Sequence, residues 1–310
     1  MQLKNSLLNK ALIRKDLTRF WPVWTIELVL LFFLNMMAGS EYDIKTYGFV
    51  RSDELVLPLG LLAILFSIIT ATMLFGYLAD RKEAYLTHSF PIKRQTLFWS
   101  HYASGFLMVF LPELLFCLYY FIMMPDTKNR FVYMFLVFLQ LFLGAFASYN
   151  LACVSTLLTA NKFSGAIIYL VLNVMAYGVM AALSFIAEFV VYGNKGDLFL
   201  DFDMYSVPNI LLTILTPLGY YSCNIVEANV QKHRLSLTWI TPGLPVFFIV
   251  IPAVLLLLAA YYLFKKRDIE TAGDMVAFSW AKPVYKAVFT FFFSVILILV
   301  ILFLRGFLYF

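Results

Sequence analysis

Residues 78–98 read LADRKEAYLTHSFPIKRQTLF, a short polar stretch between two long apolar blocks. One block ends at Tyr77 and the other begins near Leu97. Each block is long enough to cross a bilayer, so the polar stretch is expected to lie at a membrane surface. A membrane protein without catalytic residues needs a place where energy enters, and this stretch is the best candidate for it.

The composition indicates a polytopic membrane protein. Of the 310 residues, 63% are hydrophobic and only 13% are charged, which is more apolar surface than a soluble domain can bury. Strand-sized alternating segments are absent by inspection, so the predicted fold class is all-α, with about six core transmembrane helices and a seventh C-terminal span. The predicted spans lie at about 22–38, 56–78, 98–124, 131–159, 163–192, 243–264 and 287–304.

The distribution of basic residues predicts the orientation of these spans. Of the 23 Lys and Arg residues, 15 fall in the segments 1–21, 79–97, 160–162 and 265–286. An excess of Lys and Arg marks cytoplasmic segments, so the N-terminus is predicted to be cytoplasmic. The basic residues are scattered over several loops, which argues against binding to nucleic acid.

The chain is predicted to have four parts: a basic flank at 1–21, a six-span domain at 22–264, a cytoplasmic linker at 265–286 and a seventh span at 287–310. The flank is either an amphipathic helix along the inner leaflet, with Ile13 and Leu17 on its apolar face, or a plain basic flank.

Residues 193–242 are predicted to form a long outer segment between the fifth and sixth spans. This segment contains an apolar piece at 207–218, bracketed by Pro208 and Pro217, that is too short to cross a bilayer. Both a re-entrant helix and a loop helix outside the membrane fit this piece.

Motifs of enzyme chemistry are absent from the sequence. It contains no GxxxxGK[ST] phosphate loop, no HExxH and no GxSxG. Its histidines, His88, His101 and His233, are far apart, and its three cysteines imply no disulfide framework. We therefore expect no catalytic residue, no cofactor and no metal site in this chain.

Two glutamates within predicted spans are candidates for the translocation path. Glu113 follows Pro112 in the middle of the third span, and Glu27 lies in the first span. An ionisable group inside a span is costly unless it faces protein or water, so it is a functional candidate by default. The alternatives are an interhelical hydrogen bond or, for Glu27, extension of the side chain to the interface.

Three stretches resemble one family of bacterial, mostly Firmicute, membrane proteins. They are RKDLTRFWPVW at 14–24, FGYLADRKEAYLTHSFPIKRQTLFWSHYASG at 75–105 and KKRDIETAGDMVAFSWAKPVYK at 265–286. With the order of spans and loops, they resemble the permease subunits of ATP-binding-cassette exporters with the type V fold, the type-2 exporter permeases. The resemblance implies a further span beyond the seventh, whereas this sequence ends at Phe310.

The resemblance implies that a separate ATPase subunit docks on the segment 79–97. Leu86, Phe90 and Ile92 would then seat in a groove of the ATPase, and Pro91 would separate two helices. The charged and polar residues of the same docking set would lie around this contact: Arg81, Lys82, His88, Lys93 and Arg94. The alternative is an ordinary basic loop.

The complete exporter implied by the resemblance has two ATPase subunits and two permease chains, either identical or different, in the lipid of the bacterial cytoplasmic membrane. The chain itself is then not an enzyme, and a peptide, lipid or drug-like substrate is expected. Two other functions stay open on sequence grounds: a sensory complex that responds to antibiotic peptides, and an intramembrane enzyme that modifies lipids. A cluster of polar groups at one membrane depth would favour the enzyme.

Overall fold

A computed structural model describes residues 8–39, 52–123, 130–175, 216–221, 226–231, 234–239, 249–271 and 273–308. These residues are predominantly helical. The helices are α1 (Lys10–Arg19), α2 (Trp21–Gly39), α3 (Ser52–Phe75), α4 (Arg81–Ser89), α5 (Arg94–Met123), α6 (Arg130–Leu158), α7 (Lys162–Met175), α8 (Pro217–Tyr221), α9 (Val250–Lys266) and α10 (Ala281–Leu308). Short 3-10 turns cover Gly76–Ala79 and Ile269–Thr271.

Three helical segments of the described chain are long and apolar enough to cross a membrane. They are Val56–Ala79, Arg94–Ile122 and Met134–Leu158. The helices α1 and α2 are bent by 59° relative to each other and would provide a fourth span if they count as one. A helix satisfies its own backbone hydrogen bonds, which a segment in lipid requires. These segments indicate a membrane protein, whereas the count of seven spans stays a prediction.

The helix α6 occupies the centre of the bundle, where it contacts α3, α5, α8 and α9. Small residues recur along its buried surface, and they let neighbouring helices approach closely. They are Gly144, Ala145, Ala147, Ser148, Ala152 and Ser155. The short connection predicted around Asn161 is confirmed, since α6 ends at Leu158 and α7 begins at Lys162.

A buried asparagine joins three of the helices. The side-chain oxygen of Asn150 on α6 accepts a hydrogen bond from the Tyr102 hydroxyl on α5 at 2.6 Å. Its amide nitrogen donates to the Ala253 carbonyl on α9 at 3.0 Å. Polar residues in apolar helices commonly join neighbours in this way. Asn150 therefore fixes the register of α5 and α9 against α6.

The helix α8 packs among the long helices rather than outside them. It contacts α3 and α6. Both of its tyrosines are buried, and so is Thr216, the residue before the helix. The ring of Tyr221 lies directly against Gly60 on α3 and Gly144 on α6, where a Cβ atom would overlap it. Most of the piece at 207–218 lies outside the described residues, so the re-entrant and loop interpretations both stay predictions.

The predominantly helical structure agrees with the predicted all-α class, and the described residues contain in addition one two-stranded antiparallel hairpin. The strand β1 (Val226–Gln231) pairs with β2 (Arg234–Trp239), with Val226 opposite Trp239 and Gln231 opposite Arg234. The sequences VEANVQ and RLSLTW both alternate apolar and polar residues, the pattern typical of a strand. The claim that such alternating segments are absent was therefore wrong, and the signal was present in the sequence.

The contact between Tyr221 and Gly144 predicts that Gly144→Ala destabilises the protein. The added methyl group would displace a fully buried ring, and overpacking of this kind costs about 1–3 kcal/mol. The thermal unfolding midpoint of the purified protein should therefore fall. The matched control is Gly76→Ala, because a Cβ there meets only the flexible end of the Lys162 side chain, at 3.0 Å. Equal midpoints for the two variants would contradict this packing.

Candidate functional site

The polar stretch 78–98 lies at one end of the helical bundle. Hydrogen bonds join it to Lys265 and Arg267 at the end of α9, and residues 267–277 are in turn hydrogen-bonded to residues 156–164, at the α6–α7 turn. We call the end formed by these three segments the basic end. All three contain Lys or Arg residues that the sequence assigned to one side of the membrane.

The helix α4 is bounded by specific residues at both ends. The Asp80 carboxylate accepts a hydrogen bond from the Lys82 backbone N–H at 2.9 Å and caps the start of the helix. Phe90 has an extended backbone, because the residue before a proline is sterically excluded from the helical region. The helix α5 then begins at Arg94. Pro91 therefore lies between two helices, as predicted.

Two of the three apolar residues expected to contact a partner are exposed at the basic end. Leu86 is 66% exposed and Phe90 is 59% exposed. Ile92, the third, is partly buried and packs against the core of the bundle. Neighbouring Tyr85 adds to the exposed apolar surface. The basic residues that are exposed around this surface are Arg81, Lys82, Lys93 and Arg94.

His88 lies beneath the exposed surface rather than on it. Its half-buried ring packs edge-on against the Tyr77 ring, with 6.2 Å between centroids. Burial, and to a smaller extent the Arg94 guanidinium, lowers the pKa of His88 below its ordinary value. His88 is consequently neutral at pH 7 and does not add a positive charge to the surface.

Arg94 connects α5 to the end of α9. Its guanidinium donates hydrogen bonds to the backbone carbonyls of Lys265, at 3.2 Å, and Arg267, at 3.3 Å. The last carbonyls of a helix lack partners within the helix, so a cationic donor there stabilises the helix end. Arg94 is exposed, so it makes these hydrogen bonds at the surface where the sequence predicted it to lie.

Arg267 connects the end of α9 to the ends of α6 and α3. Its guanidinium donates to the Leu157 carbonyl at 3.0 Å, the Thr156 carbonyl at 3.4 Å and the Leu78 carbonyl at 3.1 Å. The residue is only 4% exposed, and no carboxylate among the described residues pairs with it. Burial lowers the pKa of Arg267 to about 10, partly offset by Tyr77, so it remains charged at neutral pH.

Residues 273–277 form a strap against the turn between α6 and α7. The Gly273 N–H donates to the Ala160 carbonyl at 3.1 Å, and the Ala277 N–H donates to the Leu158 carbonyl at 3.0 Å. Gly273 has φ +96°, a left-handed conformation that favours glycine. The glycine in the ETAG sequence at 270–273 is therefore required by the backbone of this strap.

A buried cluster that the sequence did not predict holds α1 against α5. The Asp16 carboxylate lies 2.7 Å from Nδ1 of His101 and accepts a hydrogen bond from the Ser104 hydroxyl at 3.0 Å. The Asn9 N–H donates to the Ser100 hydroxyl at 2.9 Å. Asp16 is the only buried residue of α1. This polar contact attaches the N-terminal helix to the bundle.

Glu27 and Glu113 come together inside the bundle, on the packed helices α2 and α5. Glu27 is 0% exposed and Glu113 is 2% exposed. The two carboxyl groups interact electrostatically. None of their four oxygen atoms has a hydrogen-bond partner among the described residues. The structure therefore joins the two glutamates that the sequence suggested separately for the translocation path.

The contacts of Arg267 predict that Arg267→Met destabilises the basic end. Loss of the guanidinium leaves three buried carbonyls without a cationic donor. Hydrogen bonds to charged groups contribute about 1.5–3 kcal/mol each to stability. We expect a clear fall in the thermal unfolding midpoint. Arg267→Lys should recover only part of it, since an ammonium lacks the planar fork that reaches two helices at once.

The control for Arg267 is Lys265→Met. Lys265 lies two residues earlier, its side chain is exposed, and only its backbone carbonyl takes part in the contacts of the basic end. This variant should keep the wild-type midpoint. If Arg267→Met also unfolds at the wild-type temperature, the three hydrogen bonds do not hold the helix ends.

Within the described ranges, no group of three or more His, Cys, Asp or Glu residues is placed to hold a metal ion. Neither a protein-family model nor a curated protein matches the chain. A functional assignment must therefore rest on the two arrangements above, the basic end and the buried pair of glutamates.

Proposed function

We propose that the chain is the permease subunit of an ATP-binding-cassette exporter, driven by a separate ATPase that docks on α4 and the break around Pro91. The observation that carries the proposal is an exposed apolar surface, formed by Leu86 and Phe90, on a short helix at the basic end. Exposed apolar residues surrounded by charged ones are typical of a site for a protein partner. The resemblance of residues 75–105 to exporter permeases supports the same assignment.

The contacts below this surface suggest how a docked ATPase would move the spans. Phe90 and Pro91 lead directly into α5, whose first residue, Arg94, binds the end of α9. Arg267 in turn binds the ends of α6 and α3. A displacement of α4 would therefore reach four long helices through hydrogen bonds donated by two guanidinium groups.

In this proposal the basic end faces the cytoplasm, where ATP is available, and the N-terminus lies on the same side. The excess of Lys and Arg in the segments of the basic end supports this orientation. The chain would lie in a bacterial cytoplasmic membrane with six or more spans. It would pair with a second permease chain, and the complete complex would contain two ATPase subunits.

One observation favours a second function. A cluster of polar groups at one membrane depth would favour an intramembrane enzyme, and Glu27 and Glu113 form a buried pair of such groups. Two carboxyl groups can act as acid and base. We favour the exporter because the docking surface and the linked helix ends have no role in such an enzyme, whereas a buried acidic pair fits a transporter as well.

The proposal predicts that Leu86→Asp combined with Phe90→Asp abolishes docking of the ATPase. Two carboxylates would replace the exposed apolar contact and would not affect the core of the bundle. The chain should still insert in the membrane but should no longer co-purify with a co-expressed candidate ATPase subunit. Ile92 is left unchanged, because it packs against the core and its substitution would disturb folding.

The matched control is Met275→Asp, which places a carboxylate on another exposed apolar residue of the basic end, outside α4. This variant should retain the ATPase. Undiminished co-purification and ATP hydrolysis with the double variant would overturn the proposed docking site, and loss of the ATPase with both variants would show that the effect is not specific to α4.

A further inference from the structure

The two buried glutamates lie at nearly the same depth. The Phe32 ring on α2 contacts the rings of Phe116, at 5.8 Å, and Tyr119, at 4.9 Å, on α5. Glu27 precedes Phe32 by five residues, and Glu113 precedes Phe116 by three, so they lie about 7 Å and about 4 Å along their helices from this contact. Glu27 interacts with Glu113, and Phe32 further along α2 contacts Phe116 and Tyr119 further along α5, so the two helices run in the same direction and both glutamates lie on the same side of the aromatic contact.

Nothing in the described part of the chain compensates these carboxyl groups. Their four oxygen atoms have no hydrogen-bond partner, and no Lys, Arg or His there forms an ion pair with them. The Tyr221 hydroxyl, also buried without a hydrogen bond, is close enough to interact electrostatically with Glu113. Three unpartnered polar side chains from α2, α5 and α8 therefore converge in an apolar bundle, where an uncompensated carboxylate costs several kcal/mol.

The chemistry of these groups decides which ligand would compensate them. A carboxylate pair attracts a cation. Ca²⁺ and Mg²⁺ bind among oxygen ligands and water, whereas the groups next to this pair along α2 and α5 are aromatic rings. The aromatic contact of Phe32, Phe116 and Tyr119 lies within two helical turns of the pair. Aromatic faces bind organic cations, such as quaternary ammonium groups, that carry apolar substituents.

We propose that Glu27 and Glu113 form a binding site for an organic cation with an apolar body, which is the substrate class of the exporter. The role of the site in transport rests on the proposed function. Binding of the cation requires only this chain and no ATPase. The buried pair holds a proton when the site is empty, and a bound cation releases that proton to solvent. The carboxylates then bind the positive charge, and the rings of Phe32, Phe116 and Tyr119 contact the apolar part.

The experiment uses the full chain without any ATPase, in nanodiscs of zwitterionic phosphatidylcholine. The probe is radiolabelled tetraphenylphosphonium, a permanent cation with an apolar surface, and its saturable binding is measured at equilibrium. The wild type should bind it saturably. Glu27→Gln and Glu113→Gln should each weaken binding about tenfold or more, and the double variant should abolish it.

The control is Glu270→Gln, the same change at an exposed glutamate far from the pair in sequence, which should bind as the wild type does. The neutral analogue triphenylphosphine oxide should not compete. Unchanged affinity in both single variants, absence of saturable binding in the wild type, or equal competition by the neutral analogue would overturn the site. Each outcome is independent of whether an ATPase docks on α4, which the co-purification test decides.

Discussion

A single buried guanidinium sets the arrangement of the basic end. Arg267 follows the last residue of α9 and donates hydrogen bonds to carbonyls at the ends of α6 and α3. Helix ends carry partial negative charge, and several ends that meet without a cation would repel one another and leave carbonyls unsatisfied. Arg94 adds α5 to the same assembly through the carbonyls of Lys265 and Arg267. The positions of α4 and of the strap at 273–277 depend on these helix ends.

This arrangement gives the polar stretch 78–98 a physical role beyond joining two spans. Its exposed residues, Leu86 and Phe90, lie a few residues from Arg94, which belongs to the hydrogen-bonded assembly of helix ends. A partner bound at the surface would act on a rigid set of helices rather than on a loose loop. The glutamate pair is on α2 and α5, and α5 is the helix that starts at Arg94. Motion at the basic end and the buried acidic site would thus share one helix.

The sequence predicted the features that depend on local composition. Hydropathy located α3, α5 and α6, and Pro91 located the break before α5. It did not predict features that depend on contacts between distant residues. Asp16 looked like part of a basic flank, yet it is buried against His101, 85 residues away. Arg267 sits in a KKR run typical of an exposed flank, yet it is buried. The strands β1 and β2 have an alternating sequence pattern that predicts a hairpin, but the mean hydropathy of their segment does not reveal it.

The central claim is that Arg94 holds the start of α5, and with it the preceding α4, to the end of α9 when ATP binds to the docked ATPase. The most direct measurement is the distance between spin labels at Glu83→Cys on α4 and Lys265→Cys on α9, in the reconstituted complex after replacement of the native cysteines. The account predicts the same distance with and without trapped ATP, and a nucleotide-dependent distance once Arg94→Met removes the link. A distance that changes with ATP while Arg94 is present would contradict the account.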